Sequence, residues 1–214
     1  MMPSSADILE GLTTIANDWR GIAIVWHVFL GAFLFSLVSG WRPSPRLVGV
    51  LLAAPLASVS ALAWASGNPF NGTAFAALSL ALTAVAIRLP VRAVRIGSRP
   101  LLVPGALLVG FGWAYPHFLQ TDGWTSYLYA APLGLLPCPT LSAVIGMSLI
   151  VDLLGSRPWA LVLSAVGMVY GLIGAFQLGV SVDVVLLVGT LWMGRGALGE
   201  STHRSRWPNG AKQG

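Results

Sequence analysis

The feature that most constrains this chain is the recurrence of apolar runs about as long as a bilayer is thick, each closed by a short polar connector. The runs fall at 21–39, 47–65, 73–89, 101–119, 126–151, 160–176 and 182–193. A helix needs about 20 apolar residues to cross a hydrocarbon core near 30 Å. The pattern therefore predicts an all-α fold, a polytopic transmembrane helix bundle of about seven spans, of which the last is the shortest. Composition agrees: 9% of the residues are charged and 56% hydrophobic, against roughly 25% charged in an ordinary soluble domain. A water-soluble fold would lack the polar surface to cover itself, so the lipid bilayer is the expected solvent and partner.

Cytoplasmic loops of membrane proteins carry an excess of Lys and Arg. Here Arg42 and Arg46 flank the first connector, Arg88, Arg92, Arg95 and Arg99 crowd the third, Arg157 marks the fifth, and Arg195, Arg204, Arg206 and Lys212 lie at the tail. The second, fourth and sixth connectors carry none. Arg20 is the exception, offset by Asp7, Glu10 and Asp18. The alternation predicts an outside N-terminus and a cytoplasmic C-terminus. It divides the chain into an extracytoplasmic segment 1–20, a transmembrane domain 21–194 and a basic cytoplasmic tail 195–214, expected to be disordered. Ile8, Leu9, Leu12 and Ile15 recur at helical spacing, so residues 6–17 are expected to form a helix lying on the outer surface. The segment 1–18 has no basic region ahead of the first apolar run, unlike a cleaved leader, so that run is expected to remain a span. A net charge of +5 would suit a nucleic-acid binder, but the basic residues sit at the ends of apolar runs, not along one face. No nucleic-acid partner is expected.

The fifth run carries the strongest chemical signal, because Pro132, Pro137 and Pro139 lie inside it. Each proline removes a backbone donor and clashes with the preceding turn. In lipid the freed carbonyls need new partners, so a broken helix is tolerated where it is packed in protein or lines a cavity. Thr140 and Ser142 are placed to supply hydroxyls. The alternative is a kink that only shapes packing. Cys138, the sole cysteine, lies between two of these prolines near mid-membrane; its plain role is that of a small apolar side chain, its sharper one a soft-metal ligand.

His27 lies within the first run, with Ala23 and Gly31 one turn to either side, a face open to close helix approach. His117 closes the fourth run beside Trp113 and Tyr115, where interfacial anchoring competes with a ligand role. On the expected topology His27, Asn68, Asn71, Tyr115 and His117 share the outer half, with Cys138 and Thr140 below them. These seven are the candidate ligand-binding residues, and His27, His117 and Cys138 the candidate metal ligands; no cofactor is indicated. Ser164, Gly167, Gly171 and Gly174 form a small-residue helix face suited to packing. Asp152 is placed to pair with Arg157, and Asp183 to be solvated at the outer membrane edge; a proton relay is the alternative for either. Asn71-Gly72-Thr73 matches a glycosylation sequon, too close to the membrane to carry weight.

No phosphate-binding loop, dinucleotide fingerprint, His-Glu-X-X-His or Gly-X-Ser-X-Gly occurs, which removes the main support for nucleotide-driven chemistry and the familiar hydrolases. Over residues 105–150, Tyr115-Pro116-His117-Phe118, Ala131-Pro132 and Pro137-Cys138-Pro139-Thr140 resemble a group of uncharacterised bacterial multi-pass membrane proteins with a Tyr-Pro near one span end and a Pro-X-Pro-Thr break in the next. The resemblance implies a bacterial cytoplasmic membrane and assigns no activity. Three functional readings follow. The first is a permease-like or solute-binding protein with an outward cavity between spans one, four and five. The second is a non-catalytic subunit or assembly factor docking helices of a partner or of its own copies, and the third an intramembrane metal-binding protein or metalloenzyme.

Overall fold

The computed structural model describes residues 4–204, with side chains through Leu198. Its elements are α1 (Ser5–Asp18), α2 (Arg20–Val38), α3 (Pro45–Ala65), α4 (Pro69–Ala86), α5 (Arg99–Trp113), α6 (Tyr127–Ala130), α7 (Pro137–Ile150), α8 (Arg157–Leu172) and α9 (Val184–Arg204), with no strand among the described residues. Five helical segments are long and apolar enough to cross a membrane: α2, α3, α4, α8 with the π-helical turn Ile173–Gln177 that extends it, and Ser181–Leu198. α5 and α7 are apolar but shorter. The tail expected from 195 onward begins as the last turns of α9, and residues 205–214 lie outside the described part.

Start signals mark α1, α3, α4 and α8. Ser44, Asn68 and Ser156 accept side-chain hydrogen bonds from backbone N–H groups in the first turns of α3, α4 and α8, each followed at once or one residue later by a proline that has no N–H to satisfy. Ser4 caps α1, and Asp7 reaches back to the Ser4 backbone N–H at 2.8 Å, a reciprocal capping box. Ser4's hydroxyl and then its N–H hold the Asp7 carboxyl below its ordinary value. α5 stops at Trp113, short of the end at 119 expected from hydropathy. Pro116 restricts Tyr115 to extended conformations and ends the helix ahead of it, leaving His117 exposed in the connector.

Core packing is backbone-close. α7 is the central element, with all but one of its residues buried. Gly105 and Gly112 of α5 face the Gly146 and Pro139 carbonyls of α7, where an added Cβ would come within 2.8 and 2.4 Å. The α8 stripe packs on α9 in antiparallel register: Ser164 meets Gly194, Gly167 meets Thr190, Gly171 meets Leu187 and Gly174 meets Asp183. Small residues let helices approach where lipid supplies no hydrophobic drive.

The arginine-rich end is tied by backbone bonds from Val94 to Pro43 (2.7 Å) and from Gly97 to Ile150 (2.8 Å). There Asp152 pairs with Arg95 at 3.6 Å, not with Arg157 as its sequence position suggests. The reason is a turn of left-handed backbone, Asp152 to Gly155 with φ from 51° to 61°, which turns the chain at the end of α7.

Candidate functional site

At the opposite end of the bundle lies a cavity of about 690 Å³, within the range of small-molecule sites. α1 forms one wall through Ile8, Gly11 and Leu12; Asn68, Phe70 and Asn71 at the α3–α4 turn form a second. The end of α8 contributes Tyr170, Gly174 and Gln177, and Pro137, Cys138 and Pro139 at the start of α7 line it as well. Exposed Asp7 and Phe70 stand at its mouth.

The broken fifth run borders this cavity. A single helix over 126–151 is replaced by the one-turn α6, an irregular stretch over 131–136, and α7 starting on Pro137. Its backbone donors are closed locally. Leu133 donates to Ala131 (2.6 Å), Leu135 and Leu136 both to Pro132 (3.2 and 3.1 Å), and the Gly134 N–H to Thr140 Oγ1 at 2.9 Å. The Thr140 hydroxyl in turn donates to the Leu136 carbonyl at 2.7 Å. Thr140 is thus fully buried and structural, while Ser142 Oγ, its expected helper, finds no partner in the structure. Gly134 adopts φ 73°, and an added Cβ would fall 2.1 Å from the Trp26 indole; both demands exclude a side chain.

Two tyrosine-linked pairs converge around Cys138. Tyr115, fully buried, donates to Asp183 Oδ1 at 2.7 Å. Tyr170 donates to Asn71 Oδ1 at 3.0 Å. The Cys138 thiol lies against the Asp183 carboxyl and 4.0 Å from the Tyr170 carbonyl. Asp183 is 1% exposed, which corrects its expected place in solvent at the membrane edge. Gly174 makes room for it, since a Cβ there would fall 1.9 Å from Oδ2, and the α9 N-terminus just beyond favours its negative charge.

The structure therefore divides the seven candidates. Asn68, Asn71 and Cys138 line the cavity, Tyr115 touches it through Asp183, and Thr140 braces its floor. Asn68 also caps α4, accepting from the Asn71 N–H at 3.1 Å. The histidines lie elsewhere. His27 is 3% exposed, its Nδ1 and Nε2 each 2.8 Å from a carbonyl, of Ala23 and Trp113 respectively. Trp113 ends α5, so its carbonyl lacks a helical donor, and the imidazole ties α2 to that end. His27 thus packs against the end of α5, and the cavity, which no residue of the first span lines, lies under α1. His117 packs its ring on Phe118, with centroids 4.3 Å apart. Among the described residues no three His, Cys, Asp or Glu side chains are grouped to hold a metal, so His27, His117 and Cys138 do not form a shared site.

Sequence reading missed Tyr170, and it named Asp183 without placing it among the candidate binding residues. An acid six residues after a helix end reads as solvated, and a tyrosine inside an apolar run reads as packing. The available signal was Gly174, a small residue whose partner across the α8–α9 turn is the carboxylate. The chain matches no protein-family model, no curated protein and no solved structure, so the local likeness over 105–150 carries no family assignment.

Proposed function

We propose that the chain is a seven-span protein of a bacterial cytoplasmic membrane, N-terminus outside and C-terminus inside, whose outward cavity binds a small solute in a permease-like role. α5 and the α6–α7 pair supply the two spans beyond the five long segments; a bundle whose central helix is short tolerates this because α7 is packed in protein on nearly every side. Arginine distribution supports the orientation, since the cavity end is bordered by the connectors without Lys or Arg. The observation that carries the solute-binding reading is the cavity itself. A broken helix borders it, and polar side chains from α4, α7, α8 and the turn before α9 meet at one place in it, as expected of sites built on discontinuous helices. The test uses the native Cys138. In intact spheroplasts a membrane-impermeant thiol reagent should label it from the outside, and a reporter fused after Gly214 should be active only in the cytoplasm. Labelling restricted to inverted vesicles, or a C-terminal reporter active outside, would overturn the reading.

A further inference from the structure

Asp183 presents a charge-balance problem. It is 1% exposed, and carboxylates are almost never buried that deeply without a partner of opposite charge. The groups against it, the Tyr115 hydroxyl that donates to Oδ1 and the Cys138 thiol, bring no positive charge, and among the described residues no basic side chain stands within ion-pair distance of it. The His117 ring acts on it electrostatically, but that ring is exposed in the connector and does not line the cavity.

The cavity as a whole repeats the imbalance. Asp183 and Asp7 line it, and no Lys, Arg or His does among the described residues. Helix ends do not reverse this. The starts of α4, α7 and α9 face the cavity with positive dipole ends, and the ends of α3 and α8 face it with negative ones, each equivalent to about half a charge. The positive ends are also largely spent: Asn68 caps α4, Pro137 and Pro139 leave α7 two donors short, and Asp183 itself sits at the start of α9. What remains is a wall whose charged groups are all acidic, with amides at Asn68, Asn71 and Gln177, aromatic faces at Phe70, Phe118 and Tyr170 and apolar surface at Leu12, Leu136 and Leu178. Aromatic faces attract cations as well.

Resting on the solute-binding reading, we propose that the ligand class is an organic ammonium with an apolar body, its charged head at Asp183. The ammonium supplies the counter-charge that the protein withholds, donating to the buried carboxylate in a charge-assisted hydrogen bond, stronger than one between neutral groups. The body lies on the apolar wall under α1.

The experiment uses three probes with one body: 4-phenylbutylammonium, 4-phenylbutan-1-ol and 4-phenylbutanoate. Full-length protein in nanodiscs of phosphatidylcholine, which has no net charge to concentrate a cation, is treated with the neutral reagent methyl methanethiosulfonate, and protection of Cys138 is followed by intact mass. The ammonium should protect at concentrations about tenfold lower than the alcohol or the carboxylate. In Asp183→Asn that preference should vanish while protection by the alcohol persists. Equal protection by all three probes, the result expected of an uncharged Asp183, or better protection by the carboxylate overturns the ligand class and leaves the cavity reading standing. A Cys138 that the reagent never reaches overturns both. The comparison of three probes on the unmodified protein decides the matter even if Asp183→Asn fails to fold.

Discussion

Gly134 and Thr140 show how few atoms hold the break ahead of α7. Gly134→Ala places a methyl group 2.1 Å from the Trp26 ring and forces a side chain to φ 73°. The two effects together cost about 3 kcal/mol or more. Thermal unfolding in detergent should show that loss, whereas Gly110→Ala, with nothing within 4 Å of its Cβ, should be neutral or slightly stabilising. Thr140→Val keeps the shape and removes the hydroxyl, orphaning the Gly134 N–H. The expected cost is about 2 kcal/mol, and Thr140→Ser should restore most of it in the same assay; equal stability of the valine and serine variants would show that the hydroxyl does not close the break. The prolines of this stretch were legible in the sequence, and so was Thr140 as a partner. Asp183 was not, because its burial comes from Gly174 and Tyr115, 9 and 68 positions away in the chain, and no local pattern records such a meeting.

At the scale of elements, the α8 stripe could be read directly, since 164, 167, 171 and 174 follow helical spacing and small residues have one common use in lipid. Gly167→Leu should force α8 from α9, because a Cβ alone already falls 2.4 Å from Thr190, and overpacking of this kind costs about 1–3 kcal/mol. Lowered thermal stability with a normal amount of inserted protein is the expected result. α1 was legible by its apolar spacing, but its position over the cavity was not, since it depends on contacts such as Asn17 to the Phe118 carbonyl at 2.9 Å. Its first turn carries a pH dependence of defined sign. The Asp7 carboxyl is depressed in the folded state, so its contribution is present above the ordinary carboxyl value near 3.9 and is lost as pH falls through the lower folded value. Amide protection at Asp7 and Ile8, whose N–H groups bond to Ser4, should be constant near neutrality and fall in that acidic window, and Asp7→Asn should abolish the dependence.

For the whole molecule, one end gathers arginines and the other gathers the cavity. Replacing Arg88, Arg92, Arg95 and Arg99 together with Gln should weaken the orientation signal, because those residues sit in a short connector where charge bias acts most strongly. Paired reporters at the C-terminus should then register both orientations in place of one; an unchanged single orientation would place the signal in the remaining arginines. The closed hydrogen bonding of residues 131–140 has a consequence for any molecule that enters. The break holds its shape through its own threonine and carbonyls, so the floor of the cavity is preorganised. A guest would not have to order that segment on arrival, and the entropy of fixing it is charged to folding, leaving binding to be decided by the fit of shape and charge alone.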